Sequence, residues 1–353
     1  MLLLEIFSDY QPGIVSVLVA LIATVGLSFL FHPAIIVYYH EALEHTTTIL
    51  TEPTKATSSE KDSKHEGVLL SLVIPSYNEE DRLPVMLDEA YEYLSKPKCP
   101  ALDNLRRAYR NASKDHNTIP KILVEWVVSN DGSSDRTCQV FQEYVSKLEK
   151  ISNNQPFQWK LVSLPYNEGK GAAVSVGMTE STGYYRLMVD ADGATTFGAG
   201  LEAVTDELLK SSATDSTNQT IIFGSRAGDG AQRSAIRIFL MHSFLWLRSC
   251  VVGTPKTIRD TQCGFKLFDR PSAMRLFLNL HLRRWAFDIE LVYVAMALGM
   301  KIKEVTVPWH EVDGSKLNTG VLALVWVSIG MLRDMVCVRA CYVLGIWKIK
   351  STS

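Results

Sequence analysis

Arg186-Leu187-Met188-Val189-Asp190-Ala191-Asp192-Gly193-Ala194-Thr195 is an apolar run that ends abruptly at two carboxylates one residue apart. Successive side chains of a strand point to opposite faces, so Asp190 and Asp192 reach the same side only where the strand ends and the chain turns. Two close carboxylates repel each other unless a cation lies between them, and Mg²⁺ or Mn²⁺ shared with substrate phosphates answers that need. The same letters also spell a strand followed by an Asx-Gly turn, for which Asp-Gly is ordinary chemistry. Both readings stand open on this stretch alone.

On either side of it, apolar β-rich runs alternate with helical patterns, which predicts an α/β fold with a mostly parallel sheet flanked by helices. Strands are expected at 69–75, 122–130, 159–164, 184–190 and 220–224, with helices near 81–94, 135–148, 171–181 and 200–210. Three of these strands run into polar turn residues: Pro75-Ser76-Tyr77-Asn78-Glu79-Glu80, Asn130-Asp131-Gly132-Ser133-Ser134-Asp135, and Asp190-Ala191-Asp192-Gly193. Ligands of open parallel sheets bind outside the carboxyl ends of the strands, so these three ends mark the expected site. Residues 96–120, with Pro97, Pro100 and many charges, read as a surface insertion.

With 353 residues, 47% of them hydrophobic, the chain can bury one large core, with or without membrane elements. Lys and Arg number 36 against 38 Asp and Glu, so no global positive field exists to collect nucleic acid, and phosphate recognition must be local. The six cysteines are scattered without a Cys-x-x-Cys pair, which argues against structural zinc and against a disulfide framework.

Residues 13–31 are continuously uncharged and about long enough to cross a bilayer core. Glu5 and Asp9 precede them where a cleaved signal peptide would be basic, so the run is expected to be an uncleaved, single-pass transmembrane anchor. Lys55, Lys61 and Lys64 follow it, and the positive-inside bias puts the large remainder in the cytosol. The stretch 321–347 is also apolar, but Arg333, Asp334 and Arg339 interrupt it, which favours amphipathic helices lying along the membrane. A buried helical hairpin is the competing reading, and 237–252 is a third lipid-facing candidate. The expected organisation is an anchor at 1–40, a linker at 41–67, a catalytic domain at 68–318 and membrane-proximal helices at 319–353.

With these residues in place, the chain resembles family 2 glycosyltransferases of the GT-A fold, most closely the eukaryotic dolichyl-phosphate β-glucosyltransferases. The resemblance covers roughly residues 68–310 and the N-terminal anchor. It is carried by the three strand-end blocks, by Asn167-Glu168-Gly169-Lys170-Gly171, by Asp260-Thr261-Gln262-Cys263-Gly264-Phe265-Lys266-Leu267-Phe268, and by Arg284-Trp285-Ala286-Phe287-Asp288-Ile289-Glu290-Leu291.

That resemblance implies inverting transfer of glucose from UDP-glucose to dolichyl phosphate, at the endoplasmic reticulum membrane with the catalytic domain facing the cytosol. Pro75, Tyr77, Glu79 and Asp131 are implied around the uridine and ribose, with Lys170 near the diphosphate and Asp190 and Asp192 on a divalent metal, Mg²⁺ or Mn²⁺. Helix capping is the competing role for Glu79 and Asp131, and a plain helix start for Lys170. Arg226, Arg233 and Arg237 are candidates for holding the acceptor phosphate, because guanidinium forks match phosphate oxygens. Asp288 and Glu290 are weighed as orienting the donor sugar or a basic neighbour. Other readings kept open are a dolichyl-phosphate mannosyltransferase using GDP-mannose, a sugar nucleotidyltransferase, and a non-catalytic membrane-tethered binding protein.

Overall fold

The computed structural model describes residues 20, 23–36, 52–53, 67–112, 120–151, 156–214, 219–226, 248–249, 251–253, 255, 257–312 and 321–350. Its centre is β2 (Val68–Ser76), a strand whose Leu69, Leu70, Leu72, Val73 and Ile74 are all fully buried. Such a continuous apolar run is what a strand covered on both faces requires. β2 pairs in parallel with β3 (Ile122–Asn130) and with β5 (Tyr185–Val189), and β4 (Phe157–Ser163) adds in parallel to β3. A short β1 (Glu52–Pro53) closes that edge antiparallel to β4.

Beyond β5 the direction changes. β7 (Phe265–Asp269) lies antiparallel between β5 and β6 (Ile221–Ser225), and β8 (Ile302–Thr306) pairs in parallel with β6. The eight strands take the order β1-β4-β3-β2-β5-β7-β6-β8. Sequence patterning misses β7 and β8: β7 carries Lys266 as its second residue, and β8 is only partly buried.

Helices cover both faces. α1 (Leu83–Leu94), α2 (Pro100–Ala112), α3 (Thr137–Ile151) and α5 (Phe197–Thr214) sit over one apolar cluster, which receives Leu187 and Val189 from β5. α4 (Lys170–Glu180), α6 (Arg270–Phe277), α7 (Phe287–Ala297) and α8 (Val321–Val343) sit over the other, which receives Met188 from β5 and Val73 from β2. The alternation of adjacent β5 residues between the two layers is the period of an extended strand.

Residues 96–120 are not a loose insertion. Within them α2 starts at Pro100, a favoured first helical position, and buries Ala101, Leu102, Leu105 and Ala108 against α5 and β2. These side chains recur at helical spacing, and the charges that dominate the sequence there occupy the other face.

Among the described residues no helix is long and apolar enough to cross a membrane. Of the expected anchor, residues 20 and 23–31 are described and helical or turn-like, in a segment that continues to 36; residues 13–19, 21 and 22 lie outside the described residues, as do most of 41–67 and of 237–252. Phe31 and Ala34 pack on the second cluster, and the Arg333 guanidinium of α8 lies 5.3 Å from the Phe29 ring centre. Val25, Leu27, Phe29 and Ile35 face outward and are exposed. α8 buries Met335, Cys337, Val338 and Cys341, so its C-terminal half is part of the folded core.

Candidate active site

The parallel register carries β2, β3 and β5 to one edge of the sheet, where Ser76 stands opposite Asn130 and Val73 opposite Met188. The turns at that edge carry Tyr77 and Glu79 after β2, Asp131 after β3, and Asp190 and Asp192 after β5. The loops after β2 and β3 are stitched to each other: Asn78 Oδ1 accepts from Ser134 N at 2.8 Å, Glu79 N donates to Thr137 Oγ1 at 2.7 Å, and Glu80 N donates to Asp135 Oδ2 at 3.1 Å. Asp135 also accepts from Thr137 N, the capping role its sequence position suggests.

Two of the expected nucleotide contacts have partners inside the protein. The Glu79 carboxylate takes both arms of Arg82 at 2.7 Å. Asp131 accepts from Glu168 N at 2.8 Å, from Gly169 N at 2.9 Å and from the Asn167 side-chain amide at 3.1 Å. Asp131 therefore shapes the loop that delivers Lys170. Pro75, the last residue but one of β2, is half-buried, and so is Tyr77 just beyond the strand.

Gly169 precedes α4 with φ 110°, and a Cβ there would strike the backbone of Arg283 and Arg284. Ala172 N donates to Arg283 O at 2.9 Å, and the Arg283 guanidinium pairs with Glu168. Two N–H groups at this helix start, those of Gly169 and Ala172, are thus engaged within the protein rather than directed at a diphosphate. The Lys170 side chain points into the site: Nζ lies 2.7 Å from Asp190 Oδ1 and donates to Oδ2 at 2.9 Å, while the Trp285 ring centre is 5.6 Å away. Burial works against the Lys170 charge, but Asp190, Asp288 and Asp192 outweigh it and hold the pKa above the usual lysine value.

Asp190 and Asp192 both lie in the turn that follows β5. Asp192 Oδ1 accepts from Ala194 N at 3.0 Å, closing the Asx turn. Asp190 Oδ1 is buried and has charge contact with Lys170 but no hydrogen bond of acceptable angle. Among the described residues no group of three or more His, Cys, Asp or Glu could hold a metal by itself. Two hard carboxylates are the donor type by which Mg²⁺ and Mn²⁺ are held when substrate phosphates supply further ligands.

The start of β7 meets this pair from the far side. Val189 is opposite Phe265, so Gly264 comes next to Asp190, and a Cβ on Gly264 would overlap the Asp190 carboxylate. Behind it lies a buried ion pair: Lys266 Nζ donates to Asp288 Oδ1 at 2.8 Å, with side-chain exposures of 0% and 4%. Burial raises the Asp288 pKa against the opposing pull of Lys266 and Lys170. Asp288→Ala would strand the Lys266 charge, and urea unfolding of that variant is expected to show a loss of about 3–5 kcal/mol; a loss under ~1 kcal/mol would mean the pair is not buried as described. Glu290 is also structural, accepting from His281 N at 2.9 Å, Leu282 N at 2.7 Å and Tyr342 OH at 3.0 Å.

Arg226 follows β6 and is held by Asp260, with Nε at 2.7 Å and Nη2 at 2.8 Å from its two oxygens; the guanidinium lies 5.7 Å from the Trp309 ring centre. Thr195 bridges to Trp309 and His310 N donates to Ala194 O, which ties this corner to the turn carrying Asp192. Arg233 and Arg237 lie outside the described residues. Gly264, Asp260 and Trp309 acquire their roles only through contacts distant in sequence.

Residues 71–277 match the model of glycosyl transferase family 2. The chain belongs to that family. It is 40% identical over 292 residues to a dolichyl-phosphate beta-glucosyltransferase of Dictyostelium discoideum, covering 81% of this chain and 78% of the relative. The human protein of the same name is 39% identical over 80% of this chain and 78% of its own length. Within family 2, the chain groups with the dolichyl-phosphate β-glucosyltransferases. Among solved structures, glucosyl-3-phosphoglycerate synthase from Mycobacterium tuberculosis superposes with a TM-score of 0.48 at 15% identity, over 77% of this chain and 80% of that one.

Proposed function

We propose that the protein transfers glucose from UDP-glucose to dolichyl phosphate, giving dolichyl β-glucosyl phosphate and UDP. The observation that carries this reading is the identity of about 40% to relatives of that name over about four-fifths of each chain. The site chemistry supports it. A lipid phosphate oxygen forms the new bond to the anomeric carbon from the face opposite UDP, the bond from that carbon to the β-phosphate oxygen breaks, and UDP departs with the electron pair. A phosphate monoester has its second pKa near about 6, so the acceptor is largely dianionic at neutral pH and needs positioning more than a general base.

Asp190 and Asp192 are the residues that would hold a divalent ion, Mg²⁺ or Mn²⁺. When bound, the ion neutralises charge that grows on the departing diphosphate. Lys170 adds a second positive group on that side. Pro75 and Tyr77 line the mouth where a uridine fits, and Glu79 and Asp131 contribute by fixing the loops around it. Arg226, clamped by Asp260 so that its fork is fixed, is assigned to the acceptor phosphate together with Arg233 and Arg237.

The membrane reading belongs to the same proposal. An N-terminal anchor and α8 would hold the domain at the cytosolic face of the endoplasmic reticulum, with the exposed Val25, Leu27, Phe29, Val343, Leu344 and Ile346 in its support. The test is an assay in sealed microsomes with dolichyl phosphate and external UDP-glucose or GDP-mannose. Metal-dependent glucolipid formation without detergent is expected, with little use of GDP-mannose. Preference for GDP-mannose would sink the donor assignment, and activity seen only after detergent would overturn the cytosolic placement. In the same assay Arg226→Ala is expected to raise the KM for dolichyl phosphate while UDP binding stays near wild type; equal losses in both would remove Arg226 from the acceptor side.

A further inference from the structure

We infer that Lys170 is a built-in counter-cation that occupies Asp190 until the donor arrives, so that the divalent metal binds together with the nucleotide diphosphate and not ahead of it. The inference rests on the donor and metal reading above and adds an order of binding to it.

The geometry supplies the competition. The Lys170 ammonium straddles both oxygens of Asp190, at 2.7 and 2.9 Å, and those are the oxygens a metal at this position would use. Like charges cannot share one carboxylate at such range without strong repulsion. The backbone of Lys170 cannot retreat, because Gly169 is pressed against Arg283 and Arg284 and Ala172 N is tied to Arg283 O. Only the side chain can move. On its far side Asp288 Oδ1 is already paired with Lys266 Nζ at 2.8 Å, so the ammonium would have to share that carboxylate with a second cation.

Charge balance points the same way. Asp190, Asp192 and Asp288 face Lys170 and Lys266, which leaves the cluster with one net negative charge. A divalent ion alone would overturn that balance to one positive charge inside a half-buried site. The ion together with the doubly charged diphosphate of a nucleotide sugar restores it, and the diphosphate oxygens give the Lys170 ammonium a new partner as it leaves Asp190. Metal and nucleotide then favour each other, and that coupling is reciprocal by linkage.

The test is direct titration of Mn²⁺ by electron paramagnetic resonance on the purified full-length protein in detergent, with and without UDP. For the wild type, UDP is expected to tighten Mn²⁺ binding by roughly tenfold or more. Lys170→Met is expected to bind Mn²⁺ alone roughly tenfold tighter than wild type, with the enhancement by UDP shrinking to match. Lys170→Arg keeps the charge and is expected to follow wild type. If Lys170→Met shows wild-type Mn²⁺ affinity and a wild-type response to UDP, the inference fails while the metal site stands. Tight Mn²⁺ binding to the wild type without UDP also overturns it, and this measurement needs no variant to fold. Absence of Mn²⁺ binding to every protein even with UDP overturns the metal reading itself, and the inference falls with it.

Discussion

Glucosyl transfer by the Asp190→Asn protein is expected to fall by roughly 10²–10³-fold or more in kcat, the scale on which electrostatic stabilisation of a transition state is lost. The substitution conserves size and removes one negative charge beside Lys170, at the position proposed to hold the metal. Asp190 is partly exposed, so the fold tolerates the change. Steady-state kinetics alongside thermal unfolding is the check, and a kcat within fivefold of wild type would take Asp190 out of the metal site. Asp192→Asn is expected to lose activity too, but to keep its turn, because an amide oxygen can still accept from Ala194 N.

Gly264→Ala is expected to cost about 10²-fold in kcat while the protein stays folded, the scale associated with a misplacement of order 1 Å near the chemistry. The added methyl would overlap the Asp190 carboxylate. The neighbouring strands cannot part to admit it, since β5 and β7 are locked by the ladder from Tyr185–Asp269 to Val189–Phe265. Gly264 does not have a positive φ, so backbone strain is not what requires glycine there. Where alanine fits, replacing glycine stabilises a chain by about 0.4–1 kcal/mol through the unfolded state. A fully active Gly264→Ala enzyme would show that Asp190 can sit elsewhere during turnover.

What the sequence makes legible follows from how local each signal is. β2, β3 and β5 announce themselves as apolar runs that halt at polar turns, and their ends assemble the expected edge. β7 is hidden because Lys266 interrupts its apolar run, and the Asp288 that makes this lysine tolerable is 22 residues away. α2 is obscured by its charges, although Ala101, Leu102, Leu105 and Ala108 trace its buried face. Within the site, the pairing of Glu79 with Arg82 is a short-range contact that the letters could have disclosed. The work Asp131 does for the loop at 167–169 bridges more than 35 residues and leaves no local trace. Motif therefore identifies the carboxylates and names Lys170, whereas the contact of Lys170 with Asp190 and that of Lys266 with Asp288 emerge only from three-dimensional proximity.

The antiparallel direction of β7 has a consequence for how this enzyme can be altered. The chain leaves the sheet at Ser225 and returns at Phe265 on the same rim, and the Arg226–Asp260 pair fastens the two ends of that excursion like a clasp. For a closed loop, the entropy of closure rises only with the logarithm of its length, about 0.6 kcal/mol per doubling. That low cost applies only where the span is not built into the core: Val252 and Ile258 are buried in the second apolar cluster, and the buried Arg248 Nη2 donates to Ile258 O at 2.6 Å. The strands β2, β3 and β5, whose ends lead into Tyr77, Asp131 and Asp190, lie on the other side of β7. Changes confined between the clasped ends that keep Val252 and Ile258 in place are therefore expected to leave the register of β2, β3 and β5 untouched.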